Sequence, residues 1–211
     1  MINIPAAVSS RLPLYYEYIV HMEEQGSRWV SSNMIASALD LTPSTIRQDI
    51  KYLDKIYSSS FGYSTQSFRQ VLEDALGISA GNNMALVGAG SLGRALVHYK
   101  GFASKGFTVK AVFDKREDLI DTDIDGVKVW QLGRMNEVVK RERITIGIIT
   151  TPADAAQQVA NMMVDAKIQG IWNFAPINLR VPPNVTVENA NVMPSLFSLA
   201  FKMKVMASTK K

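Results

Sequence analysis

The sequence predicts an α/β protein in two parts: a small helical part with a hairpin, followed by a doubly wound parallel sheet. Three observations predict it. Two short amphipathic helices meet across a few residues before position 53. From Met84 onward, short apolar runs alternate with helical patterns. Between them, Gly77-Ile-Ser-Ala-Gly-Asn-Asn83 is turn-rich and reads as the boundary.

Composition bounds the problem. The chain has 211 residues and no cysteine, which excludes disulfides, thiolate catalysis and cysteine metal sites. The first residues lack the basic and apolar regions of a signal peptide, and no apolar run reaches a membrane span. We expect a soluble, cytoplasmic protein with no metal and no membrane partner. The net charge is +4, unevenly spread: residues 1–80 hold six Lys+Arg against eight Asp+Glu. Whole-segment charge therefore does not advertise nucleic acid binding there, and any such reading must rest on local arrangement.

The elements follow in order. Leu12, Tyr15, Tyr16, Ile19 and Met22 fit one amphipathic helix over 9–24, with Ser9 or Ser10 as cap and Gly26 after its end. Ser31-Ser32 caps a second helix that closes at Asp40-Leu41. Thr42-Pro43 reads as N-cap and first residue of a third. Its stripe is Ile46, Ile50 and Leu53, which leaves Ser44, Thr45, Arg47, Gln48 and Lys51 largely outward. The last two helices form a helix-turn-helix candidate, with a plain helical bundle as the alternative. Residues 57–65 read as a hairpin, which makes the candidate winged, and Ser67–Leu76 as another helix.

In the second part, strands are expected at 84–87, 108–113, 127–130, 144–149, 170–174 and 184–189. Helices are expected at 94–99, 135–141 and 152–166. The final segment, 194–206, is helical and apolar nearly all round, so it should be buried, most simply against a second subunit. The domains expected are 1–80, a winged helix; 81–193, a Rossmann-type nucleotide-binding sheet; and 194–211, a dimer-exchange helix.

Gly88-Ala89-Gly90-Ser91-Leu92-Gly93 lies between a strand and a helix, which is the context a dinucleotide fingerprint requires. Gly88 permits the turn, Gly90 lets the backbone approach a pyrophosphate, and Gly93 lets helix and strand pack closely. Asp114, 21 residues after Gly93, can accept both adenosine ribose hydroxyls and would repel a 2′-phosphate. NAD(H) is thus favoured over NADP(H), a choice that Lys115 and Arg116 could soften. Only His21 and His98 exist, and no Tyr-x-x-x-Lys pair opposes the strand ends. No segment remains for a substrate domain. Binding without turnover is the reading we prefer to an oxidoreductase.

These motifs resemble the Rex family of redox-sensing transcriptional repressors over essentially the whole length. Among the matching pieces are Ser10-Arg11-Leu12, Ile46-Arg47-x-Asp49, Gly62-Tyr63, the glycine run, Phe113-Asp114, Thr151-Pro152-Ala153, Asn173-Phe174-Ala175-Pro176 and Val187-Glu188-Asn189. The resemblance implies a homodimer that exchanges its last helix, binds operator DNA when NAD⁺ is high and releases it when NADH binds. It also implies that Tyr99, Thr151, Pro152, Phe174 and Ala175 lie near the nicotinamide end. Ser44, Thr45, Arg47, Gln48 and Lys51, with Ser59 and Tyr63 of the wing, would face DNA.

The chain departs from the family pattern at three points. The helix-three triplet reads Arg47-Gln48-Asp49, one cation short. The basic wing is replaced by Tyr57-Ser-Ser-Ser-Phe61. Asn191 stands where the family has an Asp that pairs with the arginine matching Arg11, an interdomain switch. A Rex-like paralogue with weakened DNA recognition or switching is therefore the alternative.

Overall fold

A computed structural model of the chain describes residues 4–190 and 193–209. It divides into two compact units, Met1–Gly81 and Asn82–Lys211.

The first unit is a winged helix. Helix α1 spans Ala6–Ser9 and α2 spans Leu12–Glu24, so the helix expected over 9–24 starts three residues later than expected and is preceded by a short helix that was not expected. Pro13 sits in the first turn of α2, where its missing N–H is harmless, but its ring disfavours a helix running in from upstream. Neither Ser9 nor Ser10 caps α2, because both hydroxyls donate back to the carbonyls of Ala6 and Ala7. Strand β1 (Trp29–Val30) leads into α3 (Ser32–Ala38), whose first turn is capped by Ser31 Oγ accepting from Met34 N at 3.2 Å. Asp40, in the left-handed region at φ +53°, turns the chain into α4 (Pro43–Ile50). Thr42 caps α4 by accepting from Thr45 N at 3.2 Å, with Pro43 following it as expected. Strands β2 (Ser58–Ser59) and β3 (Gly62–Ser64) form the wing, and β3 also pairs with β1. Helix α5 (Thr65–Leu76) ends at left-handed Gly77. Tyr15, Ile19, Ile35, Ile46, Phe68 and Leu72 are fully buried between these helices.

The second unit is a seven-stranded sheet. Its strands are β4 (Asn82–Val87), β5 (Phe107–Asp114), β6 (Asp123–Ile124), β7 (Val127–Gln131), β8 (Ile146–Ile149), β9 (Gly170–Asn173) and β10 (Thr186–Asn189). The order is β10-β9-β8-β4-β5-β7-β6, parallel except for β6 against β7. The order reverses at β4, which makes its C-terminal end the switch point where doubly wound sheets bind ligands. Helix α6 (Ser91–Val97) lies on one face; α7 (Met135–Arg141) and α8 (Ala153–Asp165) pack on the other. Helix α6 begins three residues earlier than its apolar pattern suggested, which places Gly93 inside it.

Helices α7 and α8 end alike. Arg143 and Lys167 take the left-handed conformation at φ +52° and +68°. The next amides, Ile144 N and Ile168 N, donate to Val139 O and Met163 O. Both ends are Schellman motifs built without glycine. Helix α9 (Met193–Thr209) carries Leu196, Phe197, Leu199, Phe201 and Met203, each more than half exposed within this chain.

Candidate functional site

Four strands of the second unit finish side by side. Val87 is in register with Phe113 and with Ile149, and Ile149 with Asn173. Gly88, Asp114, Thr150 and Phe174 therefore line up along the C-terminal edge of the sheet.

The glycine loop is held from below. Gly88 has φ +105°, and a Cβ there would sit 3.0 Å from the Thr150 backbone. The Thr150 hydroxyl lies 3.0 Å from Val87 O and 2.8 Å from Gly88 O, donating across both. A Cβ on Gly93 would overlap the Gly88 carbonyl oxygen, so only glycine lets α6 approach this closely. Around Gly90, by contrast, a Cβ would meet nothing within 4 Å. That space opens over the first turn of α6, whose cap Gly90 offers no side-chain acceptor. Ser91 and Leu92 are exposed on that turn, and Ala89 is buried beneath it.

Asp114 is 7% exposed at the end of β5. Its Oδ2 accepts from Ala89 N at 2.6 Å and its Oδ1 from Arg116 N at 2.9 Å. The carboxylate is thereby aimed at the glycine loop, with lone pairs left to accept a diol. Lys115 is exposed. Of the two cations that could soften the cofactor choice, it is Arg116 whose guanidinium turns back to the site, reaching Asp114 at 3.6 Å and Ala89 O at 3.4 Å. Thr150 was not expected from the sequence; only its position one residue before Thr151 could have signalled it.

At the other end, Thr151 and Pro152 lie between β8 and α8. Thr151 Oγ1 is buried and without a hydrogen-bond partner, a state that polar ligands commonly relieve. Ala175 is 7% exposed, its N–H donating to Asn173 Oδ1 at 3.0 Å. Tyr99, Phe102, Trp172 and Phe174 form a chain of rings with successive centroids 4.9, 6.0 and 4.6 Å apart. Tyr99 and Phe174 are thus the two ends of one aromatic line. The glycine turn, the open space at Gly90, the aimed carboxylate and the orphaned Thr151 hydroxyl fit a dinucleotide laid across this edge. Among the described residues no cluster of three metal-ligating side chains exists, and no helix is long and apolar enough to cross a membrane.

In the first unit, α4 presents a polar face. Ser44, Arg47, Gln48 and Lys51 are exposed and Thr45 is half-buried. The hydroxyls of Ser44 and Thr45 lie 2.8 and 2.9 Å from Thr42 Oγ1. Arg47 Nη1 donates to Ser32 Oγ of α3 at 3.0 Å. In the wing, the Ser59 hydroxyl accepts from Phe61 N at 3.1 Å, and the Tyr63 ring packs edge-on against Phe68.

Beneath this face lies an ion pair whose carboxylate is buried. Asp49 of α4, 3% exposed, accepts from Arg11 Nε at 2.7 Å and Arg11 Nη2 at 2.8 Å, and also from the Tyr15 hydroxyl. Burial alone would push the Asp49 carboxyl up, but the bonds from Arg11 and Tyr15 outweigh it and hold it below the usual carboxylate range. Burial and then the bond to Asp49 push the Tyr15 phenol up to about 12. Arg11, expected in an interdomain switch, is thus found bidentate to Asp49 in its own unit. Its expected partner Asn191 lies outside the described residues.

Comparison with known proteins matches residues 3–50 to a putative DNA-binding protein N-terminus and residues 80–177 to a CoA binding domain. The redox-sensing transcriptional repressor Rex of Clostridioides difficile (strain 630) is 36% identical over 202 residues, covering 96% of each chain. The crystal structure of RSP in complex with beta-NAD+ and operator DNA aligns at TM-score 0.90 and 32% identity, over 98% of this chain and 95% of that one. The structure of RSP in complex with beta-NADH aligns at 0.89 and 32%, over 99% and 98%.

Proposed function

The chain belongs to the Rex family of redox-sensing transcriptional repressors, and from that premise we propose that it is a cytoplasmic homodimer that releases operator DNA when NADH binds. It is a regulator rather than an enzyme. The observation that carries this reading is one chain holding both a winged helix with a polar α4 face and a glycine loop with Asp114 aimed at it.

The proposed roles follow from the geometry. Residues 88–93 would receive the pyrophosphate over the first turn of α6, and Asp114 the adenosine ribose diol. A buried carboxylate there disfavours a ribose phosphate, so NAD(H) suits the site better than coenzyme A, whose adenosine ribose is phosphorylated. Thr151, Pro152, Phe174, Ala175 and Tyr99 would face the nicotinamide end. That ring supplies the redox difference, cationic when oxidised and neutral when reduced. On DNA, Arg47 and Gln48 would read base edges, while Ser44, Thr45, Lys51 and Ser59 would contact phosphates. Helix α9 would bury its apolar surface on the partner subunit.

The test is calorimetry of NADH and NAD⁺ with and without operator duplex. Because coupling is reciprocal, operator should weaken NADH binding by the factor by which NADH weakens operator binding. Equal NADH affinity in the two titrations would refute the sensing role. One observation favours the reading of weakened DNA recognition: residues 56–68, which include the wing, carry no charged side chain.

A further inference from the structure

Three aromatic rings gather at the wing. Phe61, at its tip, is 75% exposed, and Tyr57 is 64% exposed. Trp29 of β1 lies against both, with ring centroids 5.8 Å from Tyr57 and 6.3 Å from Phe61. Exposed rings clustered on a turn mark an interaction surface more often than a folding requirement.

The turn that carries Phe61 is firmly built. Gly62 has φ +118°, and a Cβ there would overlap the Val30 carbonyl oxygen, so only glycine fits. Phe61 N donates to Ser59 Oγ at 3.1 Å. Tyr57 N donates to Ser67 Oγ at 2.9 Å, and Ser64 N to Tyr57 O at 2.8 Å. A ring on such a mount loses little freedom on binding. The mount is also continuous with the reading helix. Strand β1 runs into the cap of α3, and Ser32 of α3 holds Arg47 of α4 at 3.0 Å.

Two occupants suit exposed rings: a second copy or a nucleic acid groove. Three rings flanked by Ser58, Ser59 and Ser60 offer far less than the ~800 Å² per partner of a stable protein interface. A minor groove needs only one apolar wedge, with hydroxyls beside it for the sugar–phosphate walls. Building on the DNA-binding reading above, we propose that Phe61 enters the minor groove next to the site read by α4, as an apolar wedge in place of a cationic wing. Trp29 lies against it and is itself packed on Tyr57. The wedge makes no phosphate ion pair, so it adds nothing to the salt dependence of binding. It favours flexible pyrimidine–purine steps, which unstack at least cost.

The experiment uses the full chain with NAD⁺ and a duplex selected by that chain from a randomised pool. The duplex carries 2-aminopurine at the flanking steps in turn. Binding should raise 2-aminopurine fluorescence at one flanking step. Phe61→Ala should abolish that rise and weaken binding about tenfold, with the salt slope unchanged. Phe61→Lys should regain affinity at low salt with a slope steeper by about one unit. The melting temperature of both variants should match the natural protein. If Phe61→Ala binds as tightly as the natural protein, or alters only the oligomeric state by light scattering, the wedge is wrong while the DNA reading stands. If the natural chain selects no duplex, the DNA reading falls and takes the wedge with it.

Discussion

Replacing Asp49 with Asn tests how the reading helix is held. The carboxylate accepts two bonds from Arg11 and one from Tyr15 at a site 3% exposed. Asn keeps one acceptor but turns an N–H₂ toward the guanidinium, so one charge-assisted bond and the ion pair are lost. Such a bond is worth about 1.5–3 kcal/mol. The Arg11 side chain is 24% exposed and can turn its head to water, which moves the value toward the lower end, about 2 kcal/mol. That is about a 30-fold increase in local opening. Hydrogen exchange of α4 amides should speed up by that factor, while amides of α8 in the other unit serve as the unchanged reference. DNA discrimination should fall with it, because Arg47 and Gln48 ride on α4. The pH dependence has a definite sign. Asp49 titrates below its ordinary value, so the stabilisation is full above that value and is lost as pH falls through the lowered one, below about pH 4. The Asn variant should lack this acid limb, and its Tyr15 phenol should ionise at lower pH. Unchanged α4 exchange together with an unchanged acid limb would refute the claim that this pair secures the helix.

Further outcomes are expected in the second unit. Asp114→Asn should weaken NADH binding by about 1.5–3 kcal/mol and narrow the gap to NADPH, read by fluorescence titration. An undiminished gap would remove the ribose assignment. Thr150→Val should lower NADH affinity about five- to tenfold by freeing the Gly88 carbonyl, and Thr150→Ser should restore it. Truncation before Pro194 should give monomers or aggregates by light scattering; a soluble truncated dimer would rule out pairing through α9.

What the sequence revealed was what local chemistry specifies. Ser31, Thr42 and Pro43 announced α3 and α4 because capping acts within one turn, and α7 has the bounds its apolar spacing gave, Met135–Arg141. The glycine loop and Asp114 were legible because each glycine answers a backbone demand. Two-residue strands such as β1 and β6 are too short to show alternation and exist only through pairing. The helix over 9–24 was read three residues too long because Ser9 and Ser10 looked like caps, whereas their hydroxyls bond back to Ala6 and Ala7 and α2 starts at Leu12, where its apolar spacing starts. Arg11 and Asp49 stand 38 residues apart, and nothing in either neighbourhood names the other. Thr150 reaches the site through the fold alone.

The matching ends of α7 and α8 bear on how freely this protein can change. Arg143 and Lys167 each hold a left-handed backbone that a side chain disfavours by roughly 1 kcal/mol relative to glycine. Neither belongs to the proposed nucleotide or DNA residues. Glycine at both positions would thus leave a reserve of stability on the order of 1–2 kcal/mol. Most substitutions that remodel a binding site destabilise by about 1 kcal/mol. A chain relieved at these two turns could therefore absorb one or two further changes in the glycine loop or the wing and still fold. The tolerance of sensor and reader to new specificities is set in part at helix ends that take no part in either.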